Sequence, residues 1–195
     1  SIAVYRRDGG ADGEGQLAWG GEYALWERLS CGGVVEAVEW AEDGAGSLLV
    51  AAVRNDHRLH TYRGATLQHA TVNLNENGDD HVSFTALVLT ASPCRTQLAV
   101  HTHSGCILVL CLRTGRHVWR LQGAAGDGYN RPTQAWHSSG RYIYATTTEA
   151  LGPILVWAVA SPSAQPVARL TGHTKLVRDL HPHPDDDRLA SCGYD

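Results

Sequence analysis

The chain has no methionine anywhere in its 195 residues, and Lys175 is its only lysine. With no methionine to start it, and with an opening "SIAVYRR" that already reads like the middle of a strand, it is expected to be a piece of a longer polypeptide. No apolar run approaches the roughly eighteen residues of a membrane-spanning helix. The longest, such as "CILVLCL" from Cys106 to Leu112, are strand-sized, so membrane insertion is not expected. An excess of basic charge is missing too. The formal charge of -4 offers no face for a nucleic-acid backbone. The five cysteines, Cys31, Cys94, Cys106, Cys111 and Cys192, are odd in number and never spaced Cys-x-x-Cys. That pattern fits buried thiols in a reducing compartment better than a disulfide framework, which places the protein inside the cell, cytoplasmic or nuclear, with cytoskeletal or ciliary association compatible.

Amphipathic helix patterns are nearly absent as well. In their place, short runs rich in Val, Leu, Ile, Thr, Tyr and Trp recur about every ten residues, separated by Gly, Pro, Asp and Ser, which is an all-β reading. Four segments superpose: "SLLVAAVRND" from Ser47, "TQLAVHTHS" from Thr96, "RYIYATTTE" from Arg141 and "DRLASCGYD" from Asp187. Val50, Leu98, Ile143 and Leu189 become equivalent, spaced 48, 45 and 46 residues apart. A period of this size, filled by about four strands and no helix, predicts the blades of a β-propeller rather than a sandwich. The expected organisation is a half blade over 1–30, blades over 31–76, 77–123 and 124–171, and a half blade over 172–195. That makes about four blade equivalents of four-stranded antiparallel sheet.

The segment "LTGHTKLVRDLHPHPDDDRLASCGYD", Leu170 to Asp195, carries a Gly-His pair before a first strand, a small hydroxyl residue in the second and an Asp in the turn after it. In these elements the chain resembles the WD-repeat (tryptophan-aspartate repeat) β-propellers, with Gly172, His173, Ser191 and Asp195 in the matching order. The resemblance implies a structural network in which the imidazole, hydroxyl and carboxylate of His173, Ser191 and Asp195 satisfy one another's hydrogen bonds. It also implies a ring of about seven blades, completed by sequence beyond this chain. The other repeats diverge. The Trp-Asp pair is replaced by Trp157-Ala158, Leu110-Cys111 and Tyr62-Arg63, and the turn matching Asp195 holds Asp56, Ser104 and Glu149.

Other constellations have plainer readings. The histidines of "HTH" (His101, His103) and "HPHP" (His181, His183) lie two apart, as chelating pairs on a strand do. Without a third ligand at fixed spacing, they read as a polar strand face and a proline-fixed turn, and no metal is expected. Asp185, Asp186 and Asp187 read as a solvated turn, and the glycine-rich "DGGADGEGQLAWGG" from Asp8 as a hairpin loop rather than a phosphate cradle. Cys106 and Cys111, five apart in one strand, point to opposite faces. Trp26, Trp40, Trp119, Trp136 and Trp157 are expected to fill the spaces between stacked sheets. A hydrolase triad of Ser191, His173 and Asp195 would need a strained nucleophile turn and an oxyanion loop, and the sequence has no such motif.

A propeller supplies rigid loops and no intrinsic chemistry. The resemblance therefore implies a non-enzymatic scaffold, a docking platform for proteins or peptides in a multiprotein complex, with no cofactor and no small-molecule ligand. By the same resemblance, partner contacts would fall at Lys175 and Tyr194, with Arg178 a third. The alternative is the regulatory or substrate-recruiting propeller of a larger enzyme or ubiquitin-ligase assembly.

Overall fold

The structure, a computed structural model, describes residues 1–7, 23–75, 78–81, 85–125, 130–148, 152–161 and 163–195. The glycine-rich segment from Asp8 to Gly21 and the turn residue Glu149 lie outside the described residues. Among those described there are strands and turns and no helix. The chain divides into two compact units, residues 1–35 and 36–195. The first holds β1 (Ile2–Arg7) and β2 (Tyr23–Leu29), an antiparallel pair with a bulge between Val4 and Tyr5.

The second unit is a series of antiparallel sheets. Strands β3 (Val35–Glu42), β4 (Ser47–Val53), β5 (Arg58–Arg63) and β6 (His69–Asn73) form the first, in that order. Strands β7 (Ala86–Ala91), β8 (Gln97–Thr102), β9 (Cys106–Cys111) and β10 (Arg116–Gln122) form the second. A third has β11 (Gln134–Trp136), β12 (Tyr142–Thr146), β13 (Ile154–Ala158) and β14 (Ala168–Leu170). The last pairs β15 (Val177–Pro182) with β16 (Leu189–Gly193). Val50, Leu98, Ile143 and Leu189, equivalent by sequence period, each lie on the second strand of a sheet. The first strands of successive sheets meet, β7 against β11 and β11 against β15, so these sheets fan outward from their leading edges.

The apolar middle strands follow from this stacking. Side chains alternate across a strand, so a strand between two packed sheets buries both faces and reads as a continuous hydrophobic run. In β9, Cys106, Leu108 and Leu110 join the core shared with the first sheet, while Ile107 and Val109 join the core shared with the third. The same alternation divides β13, where Leu155 and Trp157 face the second sheet and Ile154 and Val156 face β15.

Four expectations need correction. Trp136 and Trp157 are core residues, but Trp26 and Trp40 are each 39% exposed. Trp40 shares a face of β3 with exposed Val38, while Ala37 and Ala41 take the opposite parity toward the interior. The cysteines are all free but not all buried, since Cys94 in a hairpin turn and Cys192 on exposed β16 face solvent. His101 and His103 share no polar face, because β8 ends at Thr102, leaving His101 1% exposed in the core and His103 in the turn beyond. His181 lies within β15, opposite Ala190, so the proline-flanked turn starts only after Pro182.

Candidate functional site

His173 precedes β15, Ser191 lies on β16 and Asp195 follows it, and the β15–β16 hairpin brings all three together. The His173 imidazole spans the gap, with Nδ1 2.7 Å from Asp195 Oδ1 and Nε2 2.9 Å from Ser191 Oγ. The second carboxylate oxygen, Asp195 Oδ2, accepts from the Thr174 backbone N–H at 2.5 Å and from the Thr174 hydroxyl at 3.2 Å. Donation from the Thr174 amide, followed by that from His173, holds the Asp195 carboxyl well below the usual carboxylate range. The His173 and Asp195 side chains are about one-fifth exposed, so the network sits at the surface.

Glycine makes this closeness feasible. A Cβ on Gly193 would come within 2.8 Å of Asp195 Oδ1 and 2.9 Å of His173 Nδ1. Gly152, at φ +50°, lies against the segment before β15, and a Cβ there would stand 2.0 Å from the Lys175 carbonyl oxygen. The Lys175 backbone is thereby fixed while its side chain is exposed. Tyr194 donates its backbone N–H to Leu176 O at 3.2 Å and leaves its ring 59% exposed. The Arg178 guanidinium carbon stands 5.2 Å from the centre of that ring, a cation–π arrangement. Lys175, Arg178 and Tyr194 thus lie on segments tied together by the His173 network.

The divergent sheets make the same tie with other acceptors. In the second sheet, the backbone N–H of Thr85 donates to His103 Nδ1 at 2.7 Å, and the His103 N–H returns to Thr85 O at 3.0 Å. In the third, the Thr133 N–H donates to Thr146 Oγ1 at 3.0 Å. A carboxylate, an imidazole and a hydroxyl therefore each receive an amide from the segment leading into a first strand. Sequence reasoning assigned no such role to His103 or Thr146, and its only signal was their position at the end of a second strand. In the first sheet, the turn residue Asp56 accepts instead from the Arg58 amide at 2.9 Å and pairs with His60 Nε2 at 3.0 Å.

The order serine, histidine, aspartate matches that of a hydrolase relay. Ser191, however, lies in regular strand pairing opposite Leu180, not on a sharp strand-to-helix turn. Among the described residues no group of three His, Cys, Asp or Glu side chains could hold a metal ion. No helix among them is long and apolar enough to cross a membrane.

Stacked four-stranded antiparallel sheets fanning from their first strands are the blades of a β-propeller, present here in part. The crystal structure of the computationally designed Ika4 protein, a propeller, is similar in fold, with a TM-score of 0.63 at 17% sequence identity over 85% of this chain and 88% of that one. No curated protein matches. The family model described as "WD domain, G-beta repeat" matches residues 164–195, the stretch that contains the His173 network. Fold and repeat together fit a divergent WD-repeat β-propeller.

Proposed function

We propose that this chain is a non-enzymatic docking platform within a larger intracellular assembly, and that a partner protein engages it through Lys175, Arg178 and Tyr194. WD40 repeats generally mediate protein–protein interaction, and such propellers are typically non-enzymatic. The observation that carries the reading is the placement of Arg178 over the exposed Tyr194 ring, on backbone fixed by the Asp195 carboxylate and by Leu176. Tyrosine and arginine are among the side chains enriched where binding energy concentrates. A surface already held in one conformation loses little entropy when a partner docks. Among the described residues Lys175 has no acidic partner, which leaves its charge available. Recruitment of a substrate to a larger enzyme or ubiquitin-ligase assembly is the special case in which the bound partner is that substrate.

The test is affinity purification from the protein's own cells, with quantitative mass spectrometry of what co-purifies, comparing the unaltered chain with K175E and Y194A. A set of proteins held at near-stoichiometric level and depleted by both folded variants is expected. Equal recovery with and without the substitutions would overturn the assignment of this face. Recovery of the protein alone, with turnover of a small molecule, would overturn the docking reading itself.

A further inference from the structure

Away from the His173 network, the outer two strands of the first sheet bring three side chains into a row. Asp56 lies in the turn after β4, His60 on β5 and His69 at the start of β6. Asp56 holds the same place in its sheet as Asp195 in the last pair, but it turns its carboxylate to its own hairpin. Oδ1 accepts the Arg58 backbone N–H at 2.9 Å, and Oδ2 stands 3.0 Å from His60 Nε2. A carboxylate only accepts, so Nε2 carries the ring proton of His60 and Nδ1 keeps its lone pair. That lone pair faces His69 Nε2 at 3.0 Å.

The two imidazoles are held in place from both sides. Their rings are inclined by only 23°, with centroids 5.2 Å apart, so the facing nitrogens lie close to one plane. His69 sits opposite Tyr62 in the ladder, and the centre of the tyrosine ring is 5.0 Å from its own. This wall steadies His69 while leaving it open to solvent. Neighbouring His57 takes no part, because its Nε2 is turned to Asp80 Oδ1 at 3.3 Å. His101 and His103, the pair whose spacing suggested chelation, are separated by the end of β8, whereas His60 and His69, nine residues apart, meet.

We propose that His60 Nδ1 and His69 Nε2 chelate one divalent transition-metal ion, of the zinc and copper class that imidazole favours, with Asp56 orienting His60 from behind. A carboxylate that accepts from the far nitrogen of a ring is the usual support of a ligating histidine. Zinc bound tetrahedrally at about 2.0 Å from each ligand sets two nitrogens about 3.3 Å apart. The 3.0 Å separation needs only a small swing of the exposed His69 ring, whose proton passes to its own Nδ1. No third His, Cys, Asp or Glu among the described residues converges on the pair, so water fills the remaining positions and the ion is exchangeable.

The probe is the ion alone. Zinc chloride is titrated into the whole, tag-free chain by calorimetry, and copper(II) chloride is followed by electron paramagnetic resonance. Saturable one-to-one binding with a Kd below about 100 µM is expected, together with copper hyperfine splitting from two imidazole nitrogens and a urea midpoint that rises with zinc. H69A, at an exposed position, weakens binding at least about tenfold, and D56N, which keeps the side-chain shape but frees the His60 tautomer, weakens it about tenfold. H181A/H183A, which removes the histidines around Pro182, binds zinc as the unaltered chain does. Urea midpoints measured without metal separate lost binding from lost folding. Equal affinity in H69A, loss of binding in H181A/H183A, or no saturation by about 1 mM zinc would each overturn the proposal, and equal affinity in D56N would overturn the role of Asp56.

Discussion

Asp195 holds His173 by one carboxylate oxygen, at 2.7 Å from Nδ1, and holds the backbone of the next residue, Thr174, by the other. One side chain thus fixes both a ring and a main-chain amide of the segment leading into β15. Asp195→Asn keeps the shape but loses the charge that strengthens both bonds, so it lowers the urea midpoint. His173→Ala lowers it too, and the double variant falls short of the sum because the two share one network. Chemical denaturation of the three proteins checks this.

Gly193 and Gly152 permit the closest approaches at this site. Gly193→Ala forces its methyl group against Asp195 and His173 and destabilises by about 2 kcal/mol. Gly152→Ala meets the Lys175 carbonyl at 2.0 Å in a backbone conformation that side chains disfavour, and costs about 3 kcal/mol or more. Unfolding curves measure both, and loss of partner binding accompanies the second because Lys175 is displaced.

His101 gives stability a pH dependence. Burial pushes its pKa down from 6.5 to about 4, against a smaller opposing effect of its 3.2 Å contact with Ala124 O. The unfolded chain therefore takes up a proton that the folded chain refuses. Stability from this residue is complete above pH 6.5 and is lost as pH falls toward 4. The total is about 3 kcal/mol. Urea midpoints measured from pH 8 to 4 show the decline, and His101→Leu flattens it over that range.

Trp157 is fully buried, and its indole N–H donates to Gln122 O at 2.9 Å, joining the third strand of one sheet to the outer strand of the sheet before it. Trp157→Ala destabilises by about 4 kcal/mol. Trp157→Phe retains part of the packing and loses the hydrogen bond, and falls between the two in thermal or urea unfolding.

Cys94 differs from Cys106. It is exposed, and the hydroxyl of Ser92, then that of Thr96, hold its thiol pKa below the ordinary value. At neutral pH it reacts with iodoacetamide ahead of buried Cys106, and the S92A/T96V variant slows that reaction. Peptide mapping of the alkylated protein checks the order.

The repeat was legible because every strand that serves two cores must be apolar on both faces, which turns β4, β8, β9 and β12 into hydrophobic runs at a fixed period. The His173 network was legible because one sheet retains the full set of side chains. Its counterparts were not, since an imidazole at His103 and a hydroxyl at Thr146 accept the same kind of bond as a carboxylate, and residue type alone does not show which partner is near. Trp40 misled for a related reason. Its type marks it as core, but the face it takes depends on the register of β3, where one step in parity exchanges interior for solvent.

The alternation along β9 has a mechanical meaning. Cys106, Leu108 and Leu110 belong to one core and Ile107 and Val109 to the next, so no core can loosen without disturbing a backbone that another core also grips. Strain introduced at one seam is passed strand by strand to its neighbour, as load passes between the staves of a cask. Such sheets respond to heat or denaturant collectively, the nearest-neighbour behaviour of a stacked array. A partner that clamps the hairpin at Asp195 would thereby stiffen sheets it never touches.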